Sequence, residues 1–208
     1  MIAIIDYDAG NIKSVEKALH FIGEEAILTR DAKEILAADR IILPGVGCFS
    51  DAMNNLNKYD LVTVIREAVN RKIPFLGICV GLQLLFEESE ESPGVAGLGI
   101  LKGKILKIPS GEGLKIPHMG WNSLQFKDEG RLFVGLAEDE YVYFVHSYYL
   151  HAEDEAIVKA TTEYGVCIHA AVEKDNIFGC QFHAEKSSES GLQILRNFVA
   201  IDKGDAKC

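Results

Sequence analysis

The sequence predicts an α/β fold in which a single domain is built on a central mixed, largely parallel sheet flanked by helices. Up to about residue 90, short apolar runs alternate with amphipathic segments, which is typical of parallel strands covered on both faces. After about residue 99 the segments are strand-like and joined by turns, which indicates a mixed sheet. The length of 208 residues suits one domain, and we expect that domain to span residues 1–208.

The first half contains four predicted strands and the helices between them. The apolar runs that predict strands lie at 2–5, 25–29, 40–47 and 73–78. The segments with helical periodicity lie at 11–23, 31–38, 50–56 and 61–72. Asn11 is a plausible N-cap of the first helix, and Gly23 is a plausible stop.

The second half is predicted to be mostly strands, closed by one helix. The predicted strands lie at 99–108, 116–126, 141–150, 156–162, 166–172 and 177–183. The closing helix is predicted at 187–201. The segment 88–99 is polar and glycine-containing, and we expect it to be an excursion within the domain and not a boundary.

Composition and charge exclude several classes of function. The net charge is −10 and no cluster of Lys and Arg is present, which argues against a nucleic-acid surface. No apolar run approaches the roughly 18–20 residues of a membrane span, and the N-terminus lacks the pattern of a signal peptide, so we expect a cytoplasmic protein. The five cysteines include no CxxC pair, which argues against a disulfide framework or a structural zinc site.

The pentapeptide Gly-Ile-Cys-Val-Gly at 77–81 has the form of a nucleophile elbow with sulfur in place of the serine oxygen. In an elbow the nucleophile occupies a strained turn, and glycines two residues away on either side let other backbone pass close by. A helix starting near Val80 would favour the thiolate of Cys79 and offer N–H groups to an oxyanion. Taken alone, Cys79 could equally be a small buried hydrophobe.

His183 is the candidate base for this thiol. It follows a predicted strand, and Glu185 lies two residues further on. Residues i and i+2 of an extended segment face the same side, so Glu185 could orient the imidazole while the other ring nitrogen faces the thiol. Such a pair, taken alone, could also be a surface salt bridge.

Three segments, GICVGLQLLFEES, PGVGCF and QFHAEKS, resemble the class I glutamine amidotransferases. The resemblance covers essentially the whole chain. It implies that Cys79 is the nucleophile, His183 the general base and acid, and Glu185 its orienter, in a hydrolysis of L-glutamine to glutamate and ammonia. No cofactor and no metal is expected.

The same resemblance implies an oxyanion hole and a glutamine pocket. One oxyanion donor would be the N–H of Val80, directly after the nucleophile, and the second would come from Gly47 in a loop whose glycines permit a peptide flip. The residues that the resemblance places in the substrate pocket are Gly45, Gln83, Glu91, His146, Ser147 and Tyr148.

Four further segments, DYDAGN, PGVGCFSDAM, PHMGWN and FVHSYY, resemble a subgroup of this family, the glutaminase subunits of imidazole glycerol phosphate synthases of histidine biosynthesis. This resemblance implies a heterodimer with a (β/α)₈-barrel cyclase subunit, which receives ammonia through an internal channel and forms imidazole glycerol phosphate and AICAR. The residues implied at the docking face are Asn11, Met119, Trp121 and Lys186.

One position departs from the family pattern, which usually has His-Pro-Glu where this chain has His183-Ala184-Glu185. Proline reduces the freedom of the unfolded chain, so we expect alanine to loosen the segment by roughly 0.4–1 kcal/mol. We expect the chemistry to survive.

Three other functions stay open on the sequence. The chain could be the glutaminase subunit of another synthase, serving pyridoxal phosphate or anthranilate formation. It could be a cysteine peptidase or hydrolase that uses the same elbow. It could also be a non-enzymatic binding module in which Cys79 is buried and inert.

Overall fold

A computed structural model describes residues 1–127 and 130–202. Its centre is an eight-stranded sheet in which five neighbouring strands run parallel, which confirms the predicted fold class. In spatial order these parallel strands are β2 (Ala26–Thr29), β1 (Ile2–Ile5), β3 (Arg40–Gly45), β4 (Phe75–Cys79) and β13 (Ile177–Cys180).

The insertion of β13 beside β4 positions the candidate site. Every residue of both strands is buried, as expected for parallel strands covered on both faces. The register pairs Cys180 with Ile78, and Gly45 of β3 with Cys79. The carboxyl ends of β3, β4 and β13 therefore meet at one edge of the sheet, where ligands bind in open α/β sheets.

Three antiparallel strands extend the sheet beyond β13. They are β12 (Cys167–Lys174), β11 (Val158–Glu163) and β8 (Gln125–Phe126). Short 3-10 helices at Arg131–Phe133 and Glu155–Ile157 lie in the connections. This half gives the sheet the mixed character that the turn-joined strands of the sequence indicated.

In the described part of the chain, six α-helices connect and cover the strands. They are α1 (Ile12–Phe21), α2 (Ala32–Ala37), α3 (Phe49–Lys58), α4 (Leu61–Asn70), α5 (Val80–Leu84) and α6 (Ser188–Val199). Helix α4 packs against α2 and α3, whereas α1 and α6 both contact the 3-10 turn Ala184–Lys186. The apolar faces of the longer helices are buried, as their 3.6-residue periodicity predicted.

Among the described residues, two small sheets lie outside the main one, and between them they divide one segment that was predicted as a single strand. Segment 141–150 is split at Ser147 into β9 (Tyr141–His146) and β10 (Tyr148–Ala152). Strand β9 pairs with β7 (His118–Ser123), while β10 pairs with β6 (Gly103–Lys107), whose other neighbour is β5 (Glu88–Ser89). The prediction of one continuous strand was wrong because strand periodicity does not reveal a change of pairing partner.

The core is one large apolar cluster around the main sheet, with a small second cluster of Ile108, Tyr149 and Ile168. Tyr7, Phe75, Phe86, Phe144, Phe178 and Phe182 are among its largest fully buried side chains. Within the described ranges, no helix is long and apolar enough to cross a membrane.

Candidate active site

A cavity of about 280 Å³ lies at the carboxyl edge of β3, β4 and β13. Its lining includes Cys79 and His183, the two side chains on which the sequence-based mechanism depends. Of the other residues predicted to act here, those in the lining are Gly47, Val80, Gln83, Glu91, His146, Ser147 and Tyr148. Val46, Pro117 and Val145 complete it.

Cys79 occupies the strained turn that the elbow motif predicts, with φ 55° and ψ −111°. Such a conformation costs a residue with a side chain about 1–3 kcal/mol. A Cβ at Gly77 would lie 2.6 Å from the carbonyl oxygen of Gly81, and a Cβ at Gly81 would overlap the carbonyl oxygen of Leu43. Both glycines are therefore required by the close approach of neighbouring backbone, and the turn presents the sulfur to the cavity.

His183 is buried, and its Nδ1 lies 2.7 Å from Oε1 of Glu185. The sequence predicted this pair on the assumption of an extended segment, and that assumption was wrong. The segment turns instead into the short 3-10 helix Ala184–Lys186, which brings the carboxylate back towards the ring.

Burial by itself would lower the pKa of His183, but interactions with Cys79 and Glu185 outweigh it and raise the pKa to about 9. The other ring nitrogen, Nε2, is buried and has no hydrogen-bond partner among residues 1–127 and 130–202. The imidazole can therefore be charged at neutral pH beside the sulfur of Cys79, with Glu185 accepting the proton on Nδ1. This arrangement is suited to general acid and base catalysis.

Asn11 bonds to the same carboxylate oxygen of Glu185 as His183 does. Its Nδ2 donates to Oε1 of Glu185 at 2.7 Å. Asn11 occupies the N-cap position of α1, as predicted, but in the left-handed conformation (φ 67°) and without a side-chain capping bond. Its amide is thus committed to Glu185, which the sequence did not indicate.

The two predicted oxyanion donors, Val80 and Gly47, both line the cavity. Val80 is the first residue of α5, and Gly47 has φ +96°, a conformation that favours glycine. Gly45, which was predicted in the substrate pocket, is not part of the lining. A Cβ there would lie 2.7 Å from Oη of Tyr7 and 2.8 Å from the backbone N of Gly81. Gly45 therefore packs against the elbow, where there is no room for a side chain.

The predicted glutamine pocket contains one fixed carboxylate and one fixed amide. Oε2 of Glu91 accepts a hydrogen bond of 2.8 Å from the N–H of Phe49, at the start of α3. The Nε2 of Gln83 donates to the carbonyl oxygen of Tyr148 and to Oε1 of Gln181, both at 3.1 Å. Both side chains are held before any ligand binds.

Two buried side chains that the sequence did not assign belong to this site. Gln181 is fully buried, and its Nε2 lies 3.8 Å from Sγ of Cys79. His118 is 3% exposed, and its Nδ1 lies 3.0 Å from Nε2 of His146. Gln181 stands two residues before His183, and His118 lies inside PHMGWN, but neither position by itself distinguishes a site residue from a core residue.

Three of the four side chains predicted for docking are exposed, whereas Asn11 is partly buried. Met119 is 62% and Trp121 52% exposed, on the outer face of β7, and Lys186 is exposed beside Glu185. Trp121 pairs with Tyr143 across the sheet, and the N–H of Tyr143 donates to Oγ of Ser187 at 2.9 Å. Strand β7 is in this way connected to the turn that carries Lys186.

The remaining described cysteines, Cys48, Cys167 and Cys180, are free thiols, and Cys208 lies outside the described residues. Among the described residues, no group of three or more His, Cys, Asp or Glu side chains is arranged to hold a metal ion.

Comparison with known proteins identifies the family. The model of the family "Glutamine amidotransferase class-I" matches residues 3–201. This chain belongs to the class I glutamine amidotransferases. The assignment agrees with the cavity that contains Cys79 and His183, and it makes the chain a glutamine amidotransferase enzyme.

Several relatives that bear the name imidazole glycerol phosphate synthase subunit HisH are similar to this chain over nearly their full length. The protein from Moorella thermoacetica is 51% identical over 197 residues, 95% of this chain and 93% of the relative. The Bacillus cereus protein is 53% identical over 201 residues, with 97% and 95% covered. The Aquifex aeolicus protein is 50% identical over 196 residues, with 94% of each chain covered.

Solved structures share the fold at lower identity. A crystal structure of a glutamine amidotransferase superimposes with a TM-score of 0.76 at 18% identity, covering 96% of this chain and 97% of the other. PurLQS from Thermotoga maritima gives a TM-score of 0.73 at 20% identity, covering 95% and 96%. These two likenesses establish the amidotransferase fold alone.

The alanine that departs from the usual family pattern lies at the start of a turn. Ala184 is buried and is the first residue of the 3-10 turn Ala184–Lys186, between His183 and Glu185. The expected loosening of the segment stays a prediction.

Proposed function

We propose that this chain is the glutaminase subunit of an imidazole glycerol phosphate synthase, acting in the cytoplasm. It hydrolyses L-glutamine to glutamate and ammonia and passes the ammonia to a cyclase subunit. The observation that carries the chemistry is the cavity in which Cys79 and His183 meet, with Glu185 bonded to the imidazole. The assignment to this synthase is supported by the HisH subunits that are about 50% identical to this chain over nearly their full length.

The first half of the reaction forms a thioester. The Cys79 thiolate attacks the side-chain amide carbon of glutamine, and the carbonyl oxygen becomes an oxyanion facing the N–H groups of Val80 and Gly47. His183 then donates its Nε2 proton to the amide nitrogen, so the C–N bond breaks and ammonia leaves. The raised pKa of about 9 in the free enzyme means that the imidazole enters the reaction carrying this proton.

The second half regenerates the enzyme. His183, now neutral, accepts a proton from water through Nε2 while the water oxygen attacks the thioester carbon. The C–S bond breaks, glutamate forms, and Cys79 returns as a thiolate beside the charged imidazole. Glu185 holds Nδ1–H throughout, supported by the amide of Asn11.

Recognition of glutamine rests on groups that are already oriented. The carboxylate of Glu91, fixed by the Phe49 N–H, is suited to the substrate's α-ammonium group. The amide of Gln83 and the segment Ser147–Tyr148 also line the cavity. The cavity of about 280 Å³ is at the lower limit of the roughly 300–1,000 Å³ usual for small-molecule sites, which suits a substrate as small as an amino acid.

The docking face for the barrel cyclase is the exposed side of β7 together with Lys186 and the loop of Asn11. Exposed apolar residues such as Trp121 and Met119 are the anchors that protein interfaces use. Alternate residues of a strand face opposite sides, so β7 turns Met119 and Trp121 outward and His118 towards the cavity. A partner bound here would contact the strand that carries His118, whose Nδ1 lies 3.0 Å from Nε2 of His146 in the cavity wall.

Glutamate production from glutamine tests the proposal, measured with the chain alone and with the barrel cyclase plus its nucleotide ligand. We expect slow hydrolysis by the chain alone and faster hydrolysis in the complex. Cys79→Ala should remove glutamate release while the complex still uses added ammonium. Normal glutamate release by this variant would show that the nucleophile has been misidentified.

A binding comparison tests the docking face. Trp121→Ala should weaken cyclase binding by about tenfold or more, because buried aromatic anchors contribute on the order of 2 kcal/mol or more. Phe21→Ala is the matched control, since Phe21 is 72% exposed at the other end of α1 from Asn11. Equal effects of the two variants would contradict this location.

A further inference from the structure

The carbonyl oxygen of Tyr148 accepts two hydrogen bonds at the wall of the cavity. One comes from Nδ1 of His146 at 2.9 Å, and the other from Nε2 of Gln83 at 3.1 Å. A carbonyl oxygen can only accept, so both partners must donate. The orientation of the Gln83 amide and the tautomer of His146 are therefore fixed by this one backbone group.

The amide orientation passes from Gln83 to the nucleophile. Because Nε2 of Gln83 faces Gln181, the atom of Gln181 that meets it is Oε1, at 3.1 Å. The Nε2 of Gln181 must then point away from Gln83, and it points at Sγ of Cys79, 3.8 Å away. Gln181 is fully buried, so no water competes for this donor.

The histidine arm runs from the same carbonyl to the docking strand. With the proton on Nδ1 of His146, its Nε2 must accept, and the donor is Nδ1–H of His118 at 3.0 Å. Nε2 of His118 is then an acceptor, and Nδ2 of Asn122 lies 3.3 Å from it. His118 and His146 are only 3% and 6% exposed, so neither ring can exchange its partners for water.

The far end of this arm independently requires the same direction. Nδ2 of Asn122 donates to the carbonyl oxygen of Glu163 at 3.0 Å, and its Oδ1 accepts from the N–H of Ser123 at 2.9 Å. Asn122 can therefore offer only a donor to His118. Two backbone carbonyls, one at each end, thus order both histidines as neutral Nδ1–H tautomers.

We propose, on the basis of the proposed glutaminase function, that Gln181 is a direct hydrogen-bond donor to the Cys79 nucleophile and that His118 is a positioning residue for the pocket wall at His146 and Tyr148. The two act through one ordered chain of hydrogen bonds that begins under the docking strand β7 and ends at the sulfur. A further proton on either histidine would leave two N–H donors facing each other with no acceptor between them. Burial lowers the pKa of His118 to about 4 and that of His146 to about 3, which agrees with two neutral rings.

The first test requires no activity. Long-range ¹H–¹⁵N correlation spectra of the full wild-type chain with ¹⁵N-labelled histidine should show His118 and His146 as neutral Nδ1–H tautomers at neutral pH. His118→Gln and His146→Gln variants serve only to assign the signals. An Nε2–H tautomer or a charged ring at either position would overturn the ordered chain.

The second test concerns Gln181. Gln181→Met keeps the length of the side chain but removes the hydrogen-bond donor to the sulfur of Cys79. Without this donor, alkylation of Cys79 by iodoacetamide should slow about three- to tenfold. Peptide mass spectrometry measures the rate of alkylation at Cys79. The kcat for glutamine in the cyclase complex should fall by a similar factor with KM little changed. Gln125→Met, at an exposed position of β8, is the matched control. An unchanged alkylation rate in Gln181→Met would refute its role as donor.

The third test separates the positioning role of His118 from simple packing. His118→Phe retains an aromatic ring between Tyr164 and Phe144 but loses both nitrogen contacts. We expect KM for glutamine to rise about three- to tenfold with kcat less affected, and His118→Asn, which retains an N–H near the Nδ1 position, to restore KM. Equal KM values in His118→Phe and wild type would overturn this role, as would failure of His118→Asn to restore KM.

These outcomes are distinguishable from failure of the proposed function. If the wild-type complex released no glutamate, the glutaminase proposal would fall. The tautomers and the alkylation rate would still decide whether the chain of hydrogen bonds exists.

Discussion

Replacing Cys79 with alanine is expected to lower the pKa of the His183 imidazole by about 1–3 units, the usual effect of removing a nearby opposite charge. Burial of the ring lowers this pKa, while Cys79 and Glu185 raise it to about 9. The variant removes the sulfur but keeps Glu185, whose Oε1 lies 2.7 Å from Nδ1. Burial is then opposed by one partner and not two. Each unit corresponds to about 1.4 kcal/mol of interaction between the imidazolium and its surroundings.

The assay is an NMR titration of the His183 ring in the wild-type chain and in Cys79→Ala. Cys167→Ala is the control, because Cys167 is an exposed free thiol on β12. We expect the control to titrate like the wild type. A His183 pKa in Cys79→Ala within about half a unit of the wild-type value would show that sulfur and imidazole do not interact, and the mechanism proposed above would lose its basis.

Three further changes have defined outcomes. Gly81→Ala should destabilise the chain by about 3 kcal/mol or more in urea unfolding, because its Cβ would overlap a backbone carbonyl. The control is Gly111→Ala, where the nearest atom to a Cβ lies 3.8 Å away, and it should change stability by less than about 1 kcal/mol. Equal losses of stability in the two variants would contradict the packing at the elbow. Burial lowers the pKa values of His118 and His146 to about 4 and 3, below the value of about 6.5 in the unfolded chain. As the pH falls, the unfolded chain therefore binds more protons than the folded chain. The free energy of unfolding should drop by about 1–3 kcal/mol between about pH 6.5 and 5. A constant or rising value in urea titrations over that window would refute two buried neutral rings. Asn11→Gly is compatible with the left-handed backbone at φ 67° but removes the hydrogen-bond donor to the carboxylate of Glu185. Glutamine turnover by the complex should therefore fall about three- to tenfold with little loss of stability. Unchanged turnover would show that this contact has no part in catalysis.

Much of the site could be predicted from local sequence because its chemistry depends on local geometry. The elbow around Cys79 needs small residues at 77 and 81, where neighbouring backbone approaches too closely for a side chain, and this requirement is visible as two glycines. The residues that follow β3, β4 and β13 meet at one edge because parallel strands end together. The cavity with Cys79 and His183 follows from these two facts.

Other features depended on contacts between segments distant in the sequence. The pairing of His183 with Glu185 was predicted for the wrong reason, since a 3-10 turn and not an extended strand brings them together. Gly45 lies beneath the elbow and not in the pocket. The split of 141–150 between two sheets also escaped prediction, because the alternation of residues continues across Ser147 while the pairing partner changes.

The sequence by itself determined the fold class and the elbow, because strand and helix periodicity and tight turns are set by neighbouring residues. The order of the reacting residues came from the resemblance to the amidotransferase family. Only the tertiary structure decided which side chains support them. Asn11 reaches Glu185 across 174 positions, and Gln181 reaches Cys79 across 102. Hydrogen bonds of this kind depend on the meeting of buried groups whose separation along the chain carries no pattern, so they become visible only once the strands have been assembled.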